Sequence, residues 1–244
     1  MPSGALYTAE MSKAPKKTPA NSSGSGVQAF LRQVALTPQR PAVGRGRLIF
    51  ALDATASREP TWDRACHIQA EMFREADLVG GLDIQLAYYR GFGEFEASPW
   101  ISRSTDLIRR MTGVSCLGGH TQIGKVLEHA ILEARRRRVN ALVFVGDCIE
   151  ESVDDLCDTA GRLGMLGVPV FMFQEGADPV AEMAFRQVAR LTRGAYCRFD
   201  ATSPDQLRNL LKAVAVYAAG GPRALANYGR RGGAAVGLLA RQLK

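Results

Sequence analysis

Two stretches of this chain are continuous apolar runs that end in a carboxylate: Leu48-Ile-Phe-Ala-Leu-Asp53 and Ala141-Leu-Val-Phe-Val-Gly-Asp147. Runs of this length without polar alternation suit strands buried on both faces. Around them the apolar period switches between strand and helix. Helical spacing predicts helices over about Thr61 to Ala76, Thr105 to Met111, Thr121 to Arg138 and Val180 to Leu191. A further helix starts at Ser152, with Asp154 and Asp155 in its first turn, where the helix dipole favours anions. Strand patterns cover Leu82 to Tyr89, Glu94 to Ala97, Val168 to Phe173 and Ala195 to Phe199. A last helix opens at Ser203-Pro204-Asp205-Gln206, a capping signal with Pro at the first helical position, and runs to about Ala218. Strands alternating with helices of this length predict an α/β fold: a Rossmann-like, doubly wound, mostly parallel sheet flanked by helices on both faces.

The ends of the chain read differently. Residues 1 to 26 are rich in Ser, Pro, Ala, Gly and Lys without an apolar period, which predicts a flexible arm. Val27 to Leu36 has helical spacing before the Thr37-Pro38 and Arg40-Pro41 breakers, so a short helix there either packs on the domain or marks a linker. The expected organisation is a basic N-terminal arm over 1–45, a domain over 46–218 and a basic C-terminal tail over 219–244.

Charge supports that division. Of the formal +7, residues 1–47 contribute +6 and residues 219–244 contribute +5, which leaves the middle at −4. A folded nucleic-acid reader carries its basic patch on the domain, so no nucleic-acid partner is expected. No apolar run of about 18–20 residues is present to span a bilayer. The first 26 residues lack the apolar stretch of a secretory signal, so the five cysteines are expected as free thiols in a reducing cytoplasm.

In a doubly wound sheet, ligands bind beyond the carboxyl ends of the strands. Three pieces of sequence fall at that edge. Asp53-Ala-Thr55-Ala-Ser57 leaves the first strand with a carboxylate and two hydroxyls, Gly118-Gly119-His120-Thr121 delivers a hydroxyl at a helix start, and Asp147 ends a second strand. Five hard oxygen donors of this kind suit Mg²⁺ or Mn²⁺. Two aspartates balance the dication, the hydroxyls are neutral, and the metal stays electrophilic enough to take a carboxylate from outside.

Here the sequence resembles the von Willebrand factor A (VWA) domain with its metal-ion-dependent adhesion site (MIDAS). The likeness is carried by Asp53-x-Thr55-x-Ser57, then Gly118-Gly119-His120-Thr121-Gln-Ile-Gly124, then Val143-Phe-Val-Gly-Asp147, in family order over about residues 46 to 218. Thr55 stands where the family usually has Ser, and Gly146-Asp147-Cys148 where it usually has Thr-Asp-Gly. The resemblance implies Thr55, Ser57 and Thr121 as hydroxyl ligands, with Asp53 and Asp147 bound directly or through water. It also implies a non-enzymatic cytoplasmic module whose partner protein offers an Asp or Glu to the metal. Intracellular members often serve as adaptors to ATPase machines, including MoxR-type and chelatase-like assemblies.

Other chemistries compete for the same residues. His120, Cys116 and Cys148 with Asp53 could make a softer zinc site, but no paired Cys or His spacing supports it. The bland reading takes the cysteines as small buried side chains, with Cys66, Cys157 and Cys197 in the core and His67 and His129 as ordinary helix residues. Ser57, His120 and Asp147 make a hydrolytic triad on paper, without a nucleophile-elbow pattern around Ser57. Gly118, Gly119 and Gly124-Lys125 lack phosphate-loop spacing. A metal-dependent hydrolase would need a base near the metal, and only His120 or Glu150 is placed for that, although Glu150 and Glu151 read more simply as the start of the next helix. A structural module with an inactive metal site is the remaining alternative. Arg135 to Arg138 read as a solvated helix end, and Phe92 between Gly91 and Gly93 as an exposed aromatic.

Overall fold

The computed structural model describes residues 29–34, 36, 45–60, 82–199, 209, 211–221 and 224. Six strands, β1 (Gly46–Asp53), β2 (Leu82–Arg90), β3 (Glu94–Ala97), β4 (Ala141–Gly146), β5 (Val170–Glu175) and β6 (Ala195–Phe199), form one sheet in the order β3-β2-β1-β4-β5-β6. All neighbours pair in parallel except β2 with β3, which are joined by a tight turn at the sheet edge. Among the described residues, four complete helices lie between these strands: α1 (Ser104–Thr112), α2 (Ile123–Arg136), α3 (Val153–Met165) and α4 (Pro179–Leu191).

β1 is buried along its whole length, as its unbroken apolar run requires. Its side chains alternate between two cores. Leu48, Phe50 and Leu52 pack with Leu107 and Met111 of α1 and with two helical segments, 29–34 and 211–221. Ile49 and Ala51 pack against α2, α3 and α4 on the other face. The sheet is therefore doubly wound and covered on both sides, as the pattern predicts.

Of the two readings open for Val27 to Leu36, packing holds: Phe30, Leu31 and Val34 are buried, and the Phe30 ring lies 5.1 Å from that of Phe173. The helix expected over 61–76, with Cys66 and His67, lies outside the described residues, as does the capping signal at Ser203. Boundaries differ by a residue or two at several places, and two elements show the local reason. β5 begins at Val170 because Pro169 has no N–H to give the ladder, although its carbonyl accepts from Leu142 N at 3.0 Å. α2 begins two residues after Thr121, since Gln122 has a non-helical backbone, and it ends where Arg137 turns extended. Cys116, Cys148 and Cys157 are half-buried rather than buried, whereas Cys197 lies in the core.

The chain moves outward from β1 to β2 and β3, then returns to β4 on the opposite side of β1 and moves outward again. The carboxyl ends of β1 and β4 thus flank the point where winding reverses, which in such sheets is the binding crevice. Asp53 ends β1, and Asp147 follows β4.

Candidate metal centre

Three loops are knitted together at this edge by their backbones. Ala54 N donates to Tyr89 O, Leu117 N donates to Ala54 O, both at 3.0 Å, and Thr55 bridges Leu117. His120 N donates to Gly91 O at 3.2 Å. The approach requires glycine: a Cβ on Gly119 would stand 1.9 Å from Gly91 O, and Gly91 itself has φ +59°. The Gly-Gly pair thus lets the loop carrying Thr121 press against the turn after β2.

The donors sit as follows. Thr55 N donates to Asp53 Oδ1 at 2.8 Å, which turns the chain back over the carboxylate. The hydroxyls of Thr55 and Ser57 are 3.1 Å apart, Thr55 buried and Ser57 exposed. Asp53, Asp147 and Cys148 each offer a ligand atom, and these lie within 4.8 Å of one another. Thr121 is buried, and its Oγ1 accepts from Glu150 N at 2.9 Å, which ties it to the loop that follows Asp147.

Electrostatics favour a cation here. Asp53 is wholly buried, and neither its Oδ2 nor Asp147 Oδ1 makes a well-formed hydrogen bond among the described residues, although the buried Tyr89 hydroxyl lies beside the Asp53 carboxylate and the Cys148 thiol beside that of Asp147. Burial pushes the Asp53 carboxyl above its ordinary range, the Asp147 charge adds to this, and the Thr55 hydrogen bonds and the Arg58 charge offset it only in part. Burial also pushes the Cys148 thiol up to about 12, helped by the Asp147 charge. Unpaired buried carboxylate oxygens cost free energy that a dication would remove. Donors about 2.1 Å from Mg²⁺ stand roughly 3–4.2 Å apart, so a spacing within 4.8 Å needs little adjustment or one bridging water. The two carboxylates fit such an ion.

Similar folds appear among solved structures. The VWA domain of SpRpn10 superposes with a TM-score of 0.56 at 13% identity, over 68% of this chain and 94% of that one. A von Willebrand factor type A protein from Catenulispora acidiphila gives 0.53 at 13% identity, over 70% and 43%. Proximal thread matrix protein 1 from the mussel byssus, with a zinc-occupied MIDAS motif, gives 0.58 at 15% identity over 70% of this chain, which spans 46% of the mussel protein. No sequence model of a known family matches the chain, and no curated protein does. This chain has the VWA fold.

At this edge of the VWA fold Asp53, Thr55 and Ser57 form one connected group, Asp147 lies beside Asp53, and Thr121 is tied to the loop after Asp147 through Glu150 N. Glu150 and Glu151 do not start α3. Ser152 is its N-cap, accepting from Asp155 N, and the two glutamates reach across to α2 instead. Glu151 accepts from Ile123 N at 2.5 Å and from Gly124 N at 2.8 Å, and Glu150 accepts from Thr121 N at 3.0 Å. They serve a helix N-terminus whose own cap residue, Gln122, makes no side-chain cap. Their position ahead of Ser152, too early for the dipole of α3, is the one sequence signal for this role.

His120 pairs with Glu150, Nδ1 to Oε2 at 3.0 Å, and its ring meets the exposed Phe92 edge-on at 5.1 Å. The imidazole of the paper triad is thus turned toward Glu150. Of the soft zinc candidates, Cys148 joins the cluster with Asp53, while no cluster among the described residues includes His120 or Cys116. Behind the site the buried Arg58 forms an ion pair with Glu175 at the end of β5, a contact that a reading centred on oxygen donors passes over. Arg135 to Arg138 are exposed, as a solvated helix end should be. No helix among the described residues is long and apolar enough to cross a membrane.

Proposed function

We propose that this chain is a cytoplasmic, non-enzymatic protein-binding module that works through a MIDAS-like centre. Asp53, Thr55, Ser57, Thr121 and Asp147 would hold Mg²⁺ or Mn²⁺, which when bound supplies an electrophilic position for an Asp or Glu of a partner protein. The observation that carries the reading is the pair of buried carboxylate oxygens that make no well-formed hydrogen bond among the described residues, Asp53 Oδ2 and Asp147 Oδ1, at the reversal point of the sheet. The Thr55 N–H fixes the Asp53 carboxylate, and the glutamate caps hold the loop of Asp147 against α2. The VWA resemblance supports an adaptor role in a larger assembly, with a MoxR-type or chelatase-like ATPase as the partner class. We take 46–218, extended by the packed segments 29–34 and 219–221, as the binding domain, and the basic stretches beyond as accessory arms.

The hydrolase alternative needs a free base beside the metal, and Glu150 already accepts from Thr121 N while pairing with His120. Calorimetric titration of Mg²⁺ and Mn²⁺ into the full chain and into Asp53→Ala tests the proposal. One saturable site, lost in the variant, is expected. With Mn²⁺ bound, a glutamate-containing peptide should lower the water-proton relaxivity by displacing a bound water. No metal binding by the wild type would favour the structural module with an inactive site, and metal-dependent ester or phosphoester cleavage would favour the hydrolase.

A further inference from the structure

We propose that Cys148 gives this centre a second mode, in which Zn²⁺ or another thiophilic dication is held by the Cys148 thiolate together with the carboxylates of Asp53 and Asp147. The inference shares its two aspartates with the proposed function but not its metal class.

Three observations carry it. The Cys148 ligand atom lies within 4.8 Å of carboxylate oxygens of both aspartates, so the residue after Asp147 turns into the centre. The wholly buried Asp53 keeps Oδ2 without a well-formed hydrogen bond among the described residues, and Asp147 does the same with Oδ1. Lastly, the Cys148 thiol interacts directly with the Asp147 carboxylate, so sulfur and carboxylate already meet at this edge. Hard cations do not select sulfur, whereas zinc takes Cys and Asp readily, at about 2.3 and 2.0–2.2 Å. Tetrahedral donors at those lengths stand roughly 3.3–3.8 Å apart, so the three groups need to close by only about an ångström.

Coordination releases the thiol proton to solvent and moves no electrons. Three protein donors leave the fourth tetrahedral position open to water or to an incoming carboxylate. The hydroxyls of Thr55, Ser57 and Thr121, weak ligands for zinc, would drop out of this mode. The identity of the metal would then decide which loop is tightened: the Thr55 to Ser57 turn by a hard cation, the Asp147-Cys148 segment by a soft one.

The test uses the full chain with Co²⁺ as the optical stand-in for zinc, alongside Cys148→Ser, with Mn²⁺ affinity measured on the same samples. The wild type should develop a thiolate-to-cobalt charge-transfer band that Zn²⁺ abolishes. Cys148→Ser should lack the band and bind Zn²⁺ at least about tenfold more weakly, with Mn²⁺ affinity unchanged. No band in the wild type, a band surviving in Cys148→Ser, or equal Zn²⁺ affinities would overturn the proposal. If Mn²⁺ binds and no band forms, only this inference falls. A band without Mn²⁺ binding supports it and removes the oxygen-only reading, and failure of both metals removes both.

Discussion

Replacing Asp53 by Asn separates the stability of the centre from its function. Asp53 is wholly buried, Oδ1 is satisfied by Thr55 N, and Oδ2 makes no well-formed hydrogen bond among the described residues, with the Asp147 charge nearby. Asn retains the acceptor for Thr55, removes the charge and turns an amide toward Asp147. A buried polar group left unpaired costs about 1–3 kcal/mol, and more when charged. At about 2–4 °C per kcal/mol for a chain of this size, Asp53→Asn should raise the melting temperature in chelator by roughly 2–12 °C. The sign can be checked with pH. Because burial raises the folded pKa of Asp53, the wild-type penalty is absent below the ordinary value of 3.8, grows as pH rises and is complete above the raised pKa. The advantage of the variant should therefore fade in acid. Adding Mg²⁺ at 100 times its dissociation constant should stabilise the wild type by about 2.7 kcal/mol, or roughly 5–11 °C, and the variant not at all. Thermal melts with chelator and with Mg²⁺, at neutral and acid pH, read all of this. A variant less stable than wild type in chelator at neutral pH would refute the view that Asp53 is an uncompensated buried charge.

Glu151→Ala removes both acceptors from the α2 N-terminus and should cost about 1–3 kcal/mol in a thermal melt. Gly119→Ala sets a Cβ 1.9 Å from Gly91 O, so the two loops must part; a loss of about 1–3 kcal/mol and weaker Mn²⁺ binding by calorimetry are expected. Phe30→Ala empties a ring site between Phe171 and Phe173 and should lower urea stability by about 3–5 kcal/mol, which would show that the segment before residue 46 belongs to the folding unit. Burial alone would raise the Glu133 carboxyl, but the Trp100 hydrogen bond with His129, Arg47 and Arg136 outweighs it and holds the group below its ordinary range. Its contribution is present above the ordinary value of 4.5 and lost as pH falls through the lowered pKa, so Glu133→Gln should cost stability at neutral pH and flatten the acid limb of urea unfolding.

The sheet and the placement of its two aspartates were legible in the sequence for a common reason. A strand buried on both faces needs an unbroken apolar run, and a carboxylate closing such a run has nowhere to go but the strand end, as at Asp53 and Asp147. Likewise Ser152 announces its helix because a short oxygen side chain before an apolar period is a cap. Roles that depend on partners remote in sequence were not legible. Glu151 caps a helix that starts 28 residues earlier, and no local pattern encodes that reach. Cys148 reads either as a soft ligand with Asp53 or as a small buried side chain, and only the fold shows it beside two aspartates and apart from His120 and Cys116. Nor does the apolar spacing of Phe30, Leu31 and Val34 tell whether the sheet lies within reach.

The two glutamates after Cys148 also bear on how the centre moves. Asp147 is four residues from Glu151, whose carboxylate grips the first two N–H groups of α2. A shift of Asp147 toward an arriving ion therefore either tows the end of a 14-residue helix or forfeits two charge-assisted hydrogen bonds, about 1.5–3 kcal/mol each. The loop is built like a clutch, its two hydrogen bonds coupling the position of Asp147 to the start of α2.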